Sequence, residues 1–195
     1  MCKRGFTAAT LLLIALAFGT GQALAEDSPG FDNMTAVTYS DLFTLAVQQH
    51  QNGHLQDSFG TFQRLACAGD KASQEQLGLM YLNGEGVKRS TLKGYLWLKV
   101  AAEFSLATYH ANVTRLEALF SEQQKKETAP LADDLRGRYG LRATNITCNA
   151  ESSSTFSSNI KDTAVCSPKR NGSMLMIHRC YADDVPAVAA AEPTH

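Results

Sequence analysis

The sequence predicts a mainly α-helical protein that carries a small β-structured, cysteine-containing tail. Two observations lead to this fold class. Between Tyr39 and Tyr139 the only proline is Pro130, and apolar residues recur three and four positions apart, which is the pattern of amphipathic helices. After Gly140 the composition shifts to threonine, serine, asparagine and cysteine, with few residues that favour helices.

The overall composition excludes several classes of protein. The 195 residues are 44% hydrophobic and 19% charged, which is close to the average of globular proteins, and the formal net charge is -1. A protein that binds nucleic acid needs a surplus of lysine and arginine to hold phosphates, so we expect no nucleic-acid partner. The length corresponds to one domain with appendages.

Residues 1–25 have the features of a secretory signal peptide. A positive start, an apolar core and a small-residue cleavage motif follow one another: Lys3 and Arg4, Leu11–Phe18, and Ala23-Leu24-Ala25. We expect cleavage between Ala25 and Glu26, which lowers the formal net charge from -1 to -3 and leaves four cysteines. An uncleaved anchor is the alternative, but a membrane span needs about 20 apolar residues. The mature chain is therefore expected in the periplasm or outside the cell, with no membrane span and in an oxidising compartment.

The middle of the chain is predicted to contain helix pairs joined by short turns. Leu77, Gly78 and Tyr81 share one face of a helix that ends at Gly84 and Gly86, because glycine readily adopts positive φ. Gly78 within a helix costs about 1 kcal/mol relative to alanine. We therefore expect a neighbouring helix to approach closely at this position.

The helical region also repeats. The segment Trp97–Ala102 lies 35 residues after Phe62–Cys67, and each segment begins with a large aromatic residue and ends with two small ones. A period of this length is typical of solenoids built from helix pairs. The sequence therefore predicts two successive units of one helix-turn-helix design.

Two motifs carry a family resemblance: LG-x-MY-x-NGEGV within Ser73–Val87 and W-x-K-x-AA-E within Tyr95–Glu103. This unit, residues 72–105, resembles a Sel-one-like repeat, a family related to the tetratricopeptide repeats. Residues 42–71 resemble a degenerate copy that lacks the glycine-rich turn. The resemblance implies a short α-solenoid of helix-turn-helix repeats over residues 39–140, with capping helices at residues 106–140 that cover the exposed end.

The last capping helix is predicted to begin at a capping box. Ser121 is placed as the N-cap residue, and Gln124 lies three positions later, where its side chain can reach back to the N-cap backbone. Pro130 lacks a backbone N–H, so we expect it to kink or split this helix.

Residues 141–181 are predicted to form a cysteine-containing β-hairpin, and residues 182–195 a disordered end. Thr163–Cys166 and Met174–Tyr181 have strand character. Between them, Asn171-Gly172 is the strongest short-range signal for a hairpin turn.

The pairing of the tail cysteines is suggested by a second resemblance. In the predicted hairpin, Cys166 and Cys180 lie about 10 Å apart along the strands, beyond disulfide reach unless a bulge at Pro168 shifts the register. The segment from Cys148 to Cys166 is similar to a cysteine-pair segment of small exported bacterial proteins, although Phe156 stands where that segment has glycine. The resemblance implies a Cys148–Cys166 disulfide, which would stabilise the fold by about 3 kcal/mol.

Cys67 leaves two alternatives open. It aligns with Ala102, a small position that stacked helices bury, so one alternative is a buried free thiol. The other is a Cys67–Cys180 disulfide that fixes the tail to the helical domain, since an exported protein seldom leaves two thiols unpaired.

Patterns for catalysis and metal binding are weak. His50 and His54 have a spacing that suits zinc, but Gly53 lies where the helix is predicted to end and no third ligand is near in sequence. A solvated turn is the favoured interpretation, and we expect no metal and no cofactor. Adjacent carboxylates at Asp133-Asp134 and Asp183-Asp184 diverge rather than share a proton. The sequence also lacks the GxSxG, phosphate-loop and HExxH motifs, and its cysteines do not form CxxC.

The family resemblance implies a non-catalytic protein–protein interaction module, because tetratricopeptide arrays bind peptides or partner domains on their inner surface. A protein or peptide partner is therefore expected. Candidate contact residues lie on the strip of the 73–83 helix away from its core-facing residues: Ser73, Gln76, Met80 and Asn83.

Two alternatives remain at this point. Cysteine-rich exported members of the family have been linked to weak β-lactam binding or hydrolysis, which keeps an enzyme open. Those members carry a cysteine pair in each repeat, whereas the clear repeat here, residues 72–105, has none. The other alternative is a structural envelope protein that makes its contacts through the tail, residues 141–195.

Overall fold

The computed structural model describes residues 36–144, 146–151 and 163–168. These ranges form six helices and two strands: α1 Ala36–Gln51, α2 Leu55–Cys67, α3 Lys71–Asn83, α4 Thr91–Ala101, α5 Ala107–Glu117, α6 Glu122–Tyr139, β1 Ile146–Glu151 and β2 Thr163–Pro168. The predicted class, mainly α-helical with a small disulfide-linked β-hairpin, is confirmed. The predicted signal peptide, the predicted strand Met174–Tyr181 and residues 182–195 lie outside the described residues.

Each helix from α1 to α4 packs against the next one in the chain, and α6 packs against α4. The central helix is α3, which contacts α2, α4 and the strand β2. The largest hydrophobic cluster contains aromatic side chains of α3, α4 and α6, among them Tyr81, Trp97 and Tyr139. None of the helices in the described ranges combines the length and the apolar character needed to cross a membrane.

Helix α3 begins and ends at residues suited to those positions. Asp70 is its N-cap residue, and the carboxylate accepts a hydrogen bond of 2.6 Å from the backbone N–H of Ser73. Gly84 ends the helix at φ 75°, and its N–H donates to the carbonyl oxygen of Met80. The predicted glycine-rich turn is confirmed at Gly84 and Gly86, both of which have positive φ.

The crossing of α3 and α4 depends on two glycines. A Cβ atom at Gly78 would lie 2.8 Å from Cγ of Leu98 and 3.0 Å from the carbonyl oxygen of Gly94. A Cβ at Gly94 would in turn lie 2.7 Å from the side chain of Leu82. The close helix approach predicted at Gly78 is confirmed, and it explains why glycine is tolerated in the middle of a helix.

Helix α6 begins at the predicted capping box. The Ser121 hydroxyl accepts from the backbone N–H of Gln124, and the Gln124 side chain accepts from the backbone N–H of Ser121. The expectation that Pro130 splits the helix is wrong, because one helix runs from Glu122 to Tyr139. Pro130 and Lys126 are both exposed, so water can reach the Lys126 carbonyl that lacks an N–H partner.

The described β-structure contains a pairing that the sequence did not predict. The predicted strand Thr163–Cys166 is confirmed within β2, but its described partner is β1, which the sequence did not predict. The strands are antiparallel, with Cys148 opposite Cys166, and these two cysteines form the expected disulfide. The disulfide therefore joins directly opposed residues of neighbouring strands.

The hairpin is amphipathic and packs on the helices with its disulfide side. Ile146, Ala164 and Cys166 are buried in a cluster with α1, α2 and α5. The opposite side is exposed and mostly polar: Thr147, Asn149, Val165 and Ser167. The backbone N–H of Ala164 donates to the Tyr109 hydroxyl at 3.3 Å. The hairpin therefore shares the hydrophobic core of the helical region.

Candidate functional site

Two of the four predicted contact residues are not available for contact. Ser73 and Met80 are fully buried, and Met80 packs with Ala46 of α1 and Phe62 of α2. Gln76 is half-buried and Asn83 is exposed, as expected for surface positions. The prediction is wrong for Ser73 and Met80 because neighbouring elements cover α3 on more than its α4-facing side.

The surface of α3 that remains accessible is narrow. Gln76, Leu79 and Leu82 are half-buried and Asn83 is exposed. Leu82 packs against the hydrophobic core beside Gly94 of α4. We call Gln76, Leu79 and Asn83 the α3 strip. Their spacing of three and four residues places them along one line of the helix. Two amide side chains flank one leucine, so the strip combines hydrogen-bonding groups with an apolar contact.

A buried acidic residue lies beside this strip. Glu75 is 7% exposed, and its Oε1 accepts a hydrogen bond of 2.9 Å from Nδ2 of Asn112 on α5. Asn112 is itself half-buried. The bond joins α3 to α5, two helices that are not adjacent in the chain.

Burial changes the acidity of this carboxyl group. Removal from water raises the pKa of Glu75 from 4.5 to about 7, and the hydrogen bond from Asn112 opposes the increase. Glu75 therefore changes its protonation state near neutral pH. Groups with such shifted pKa values are concentrated at functional sites, although structural groups show them as well.

The buried charge at the start of α3 has a different environment. Lys71 is fully buried, and its ammonium group donates to Oε1 of Gln74 at 2.9 Å, to the carbonyl of Val100 at 3.1 Å and to Oε2 of Glu103 at 2.9 Å. An ammonium group has three N–H donors, so all of them are used. Oε2 of Glu103 also accepts from the backbone N–H of Leu141 at 2.8 Å. We call Lys71, Gln74 and Glu103 the Lys71 cluster.

The Lys71 cluster connects distant parts of the chain. Nε2 of Gln74 donates to the carbonyl oxygens of Ala66 in α2 and Tyr139 in α6, each at 2.8 Å. The backbone N–H of Lys71 donates to Sγ of Cys166 in β2 at 3.4 Å. The cluster therefore joins α2, α3, α4, α6 and the hairpin, and its role is structural.

The pKa directions agree with a paired cluster. Burial lowers the pKa of Lys71, and its bond to Glu103 opposes that decrease. Burial acts to raise the pKa of Glu103, but the bonds from Lys71 and Leu141 outweigh it and leave the pKa below its ordinary value. The side chain of Lys71 is 0% exposed and that of Glu103 is 21% exposed, so this ion pair is largely removed from water.

A cleft lies between the turns at residues 52–54 and 84–90. It encloses about 790 Å³ and is lined by Gly53, His54, Leu55, Gln56, Asp57, Gly84, Gly86, Val87 and Lys88. Asp57 and Lys88 bring opposite charges to this cleft, so its walls favour neither an anion nor a cation. A Cβ atom at Gly86 would overlap the carbonyl oxygen of Leu55, which shows how closely the two turns pack.

The two histidines examined for zinc binding have separate environments. Nε2 of His50 lies 3.0 Å from Oε2 of Glu85, whereas His54 is exposed in the turn before α2. In the ranges that the structure describes, no three histidine, cysteine, aspartate or glutamate side chains are grouped to hold a metal ion. Asp133 and Asp134 are exposed and form ion pairs with arginines of the same helix.

The remaining described cysteine is also bonded. Cys67 is fully buried at the end of α2 and takes part in a disulfide, so the alternative of a free thiol is wrong. The predicted partner, Cys180, lies outside the described residues. The Cys67–Cys180 pairing therefore stays a prediction.

The sequence did not predict Glu75 and Asn112 as a pair. They are 37 residues apart in the chain, and only the packing of α3 near α5 brings them together. One signal was present: Glu75 precedes Leu79 and Leu82 by four and seven residues, which places an acid in an apolar row of the helix. An acid in such a row is a candidate for burial.

Comparisons with protein-family models and with curated proteins found no match for this chain.

Proposed function

We propose that this protein is an exported, non-catalytic module that binds a peptide or a partner protein on the α3 strip. The observation that carries the proposal is the accessible line of Gln76, Leu79 and Asn83 on a helix that is otherwise mostly buried. Amide side chains both donate and accept hydrogen bonds, so they can pair with a peptide backbone, while Leu79 offers an apolar contact.

The proposed architecture is a short solenoid of two helix-turn-helix units with a helical cap. Supporting this, Phe62 of α2 and Trp97 of α4 occupy corresponding positions of the second helix in each unit, and both are buried. Leu45 corresponds to Leu77, yet Leu45 is 43% exposed and Leu77 is buried. The difference is expected if α1 opens the array, because no helix in the described ranges precedes it.

Export is supported by the amino-terminal sequence and by the disulfides. Cys148–Cys166 and the bonded Cys67 suit an oxidising compartment such as the periplasm or the cell exterior. The tail contributes to the binding module indirectly, since its buried face is part of the same core as α5. Deletion of the described hairpin would therefore expose apolar helix surface.

The proposal is tested by photo-crosslinked capture from the envelope fraction of the host, with mass spectrometry as the readout. The test variant changes Gln76, Leu79 and Asn83 to alanine. The matched control changes Gln123, Lys126 and Glu127, which are exposed on α6, to alanine.

We expect at least one partner to be lost with the α3 variant and kept with the α6 variant. The captured partner, once purified, should bind the wild type and the α6 control equally and the α3 variant at least about tenfold more weakly, which corresponds to about 1.4 kcal/mol. Equal capture by all three proteins would contradict the proposal.

A further inference from the structure

Only one of the two carboxyl oxygens of Glu75 forms a hydrogen bond within the described part of the chain. Oε1 is bonded to Asn112, whereas Oε2 has no hydrogen-bond partner in the described part of the chain. The carbonyl oxygen of the Asn112 amide is likewise without a described donor. The Glu75–Asn112 hydrogen bond therefore brings together two side chains from two helices, each of which keeps one acceptor oxygen, beside the α3 strip.

The charged side chains on the helices around Glu75 are directed elsewhere. Lys71 is held in its own cluster, Lys99 pairs with Glu117, and Lys93 lies 5.6 Å from the centre of the Tyr81 ring. Of the other titratable side chains of α5, His110 and Arg115 are exposed, whereas Tyr109 is buried and its hydroxyl accepts from the backbone N–H of Ala164. The acidity of Glu75 is accordingly set by burial and by Asn112, with no contribution from a nearby cation.

We infer that Glu75 and Asn112 form a recognition point for a primary ammonium group, such as that of a lysine side chain in the bound peptide or protein. The inference rests on the proposed function and names the chemistry of the ligand at the same face. An ammonium group would donate to Oε2 of Glu75 and to the carbonyl oxygen of Asn112, and it would supply the missing countercharge.

The small accessible area of Glu75 favours lysine over arginine. Only 7% of Glu75 is exposed, and a compact ammonium group can approach so small an area more readily than a planar guanidinium. Leu79 lies one helical turn further on and is half-buried, so its side chain can cover the methylene stem of a lysine.

The experiment is an NMR titration of the full-length mature protein with Nα-acetyl-lysine N-methylamide. The matched probe is the Nε-acetylated form, which has the same stem and no charge. The protein variants are Glu75→Gln, which keeps the acceptor for Asn112, and Gln123→Ala on α6 as a control. Circular dichroism of each variant verifies that the fold is retained.

We expect the lysine probe to bind at Glu75, and the acetylated probe to bind at least about tenfold more weakly, because the countercharge is absent. Glu75→Gln should lower the affinity by a similar factor. Affinity should rise about tenfold between about pH 6 and about pH 8, because binding needs the ionised carboxylate.

Equal affinity for the two probes, unchanged affinity in Glu75→Gln, or no shift change up to the solubility limit of the probe would overturn the inference. Failure of the inference differs from failure of the proposed function. If a captured partner is lost in the α3 strip variant but binds Glu75→Gln normally, the module stands and the ammonium site does not. If the probe binds at Glu75 while the strip variant loses no partner, the site stands without the adaptor function.

Discussion

Helix α3 contains a buried lysine and a buried glutamate four residues apart, and their surroundings differ. Lys71 is fully buried with every ammonium N–H bonded and with Glu103 as its countercharge. Glu75 is 7% exposed with one amide partner and no countercharge. Lys71 is thus saturated with hydrogen bonds, and its cluster connects five elements of the fold. Glu75 is unsaturated, because one of its oxygens remains able to accept a hydrogen bond from a ligand.

The difference teaches how buried charge can be assigned to stability or to recognition. A buried charge that has all its hydrogen bonds and a countercharge has no bonding capacity left for a ligand, and its removal destabilises the fold. A buried charge with an unused acceptor weakens the fold at the pH where it ionises, and the unused acceptor is available to a ligand. The predictions below test the two halves of this comparison.

The largest expected effect is at the saturated group. Lys71→Met removes the countercharge of the Glu103 carboxylate and the ammonium donor to the Val100 carbonyl, so we expect the free energy of unfolding to fall by about 3 to 5 kcal/mol. Urea denaturation followed by circular dichroism measures this. The control is Lys125→Ala, which removes an ion pair with the exposed Glu122 and should cost less than about 1 kcal/mol. Equal losses of unfolding free energy in the two variants would contradict the distinction between a buried, fully bonded lysine and an exposed ion pair.

The hairpin contacts the end of α3 that carries Lys71, because Sγ of Cys166 accepts a hydrogen bond from the backbone N–H of Lys71. The Cys148–Cys166 bond closes a loop with a sequence separation of 18 residues. The double variant Cys148→Ala/Cys166→Ala should lose about 3 kcal/mol in the free energy of unfolding, measured in urea. A stability equal to that of the wild type would show that the hairpin does not support the core.

Ionisation of the unsaturated group, Glu75, should lower the free energy of unfolding. Because the folded-state pKa of Glu75 is raised to about 7, the native state holds a proton that the unfolded state has lost between about pH 4.5 and pH 7. Stability should therefore fall as pH rises through this window and then level off. Glu75→Gln removes this contribution and should stabilise the protein by about 2 to 3 kcal/mol above pH 7.

Thermal and urea unfolding of the wild type and of Glu75→Gln at several pH values measures both the pH dependence of stability and the gain in the variant. Curves that coincide at all pH values would mean that Glu75 is as hydrated in the folded state as in the unfolded chain.

The smallest expected effect concerns the α3–α4 crossing that holds both groups in place. Gly78→Ala puts a methyl group 2.8 Å from Leu98 Cγ, so we expect a loss of about 1 to 3 kcal/mol in the free energy of unfolding. Gly60→Ala is the matched control, because Gly60 lies within α2 and a Cβ there meets nothing within 4 Å. That variant should gain about 0.5 to 1 kcal/mol from helix propensity. A gain in both variants would contradict the close crossing.

Much of the helical fold could be predicted because its signals are local. The Gly84 turn and the capping box at Ser121 each depend on residues within one turn of chain. The close approach at Gly78 involves Gly94 and Leu98 of α4, but a glycine inside a helix is itself a local signal for it. The strand β1 could not be predicted in this way. Its pairing with β2 spans an interval of the tail that offers no short turn signal, and the Asn171-Gly172 signal favoured another partner.

The site was harder to predict than the fold. Periodicity placed Gln76 and Asn83 on the accessible strip, but one helix pattern does not show how many neighbours surround the helix. Met80 is buried because α1 and α2 both reach it, and this depends on the packing of three helices. Glu75 and Asn112 meet only through the packing of α3 near α5.

The central claim, that Glu75 is a buried carboxyl group without a countercharge, is tested most directly by its own titration. The side-chain carboxyl carbon of Glu75 can be followed by carbon NMR as pH is varied, with Glu75→Gln used to assign the signal. We predict a midpoint at about pH 7. A midpoint near the ordinary value of 4.5 would contradict the account, since it would show a hydrated or charge-paired carboxylate.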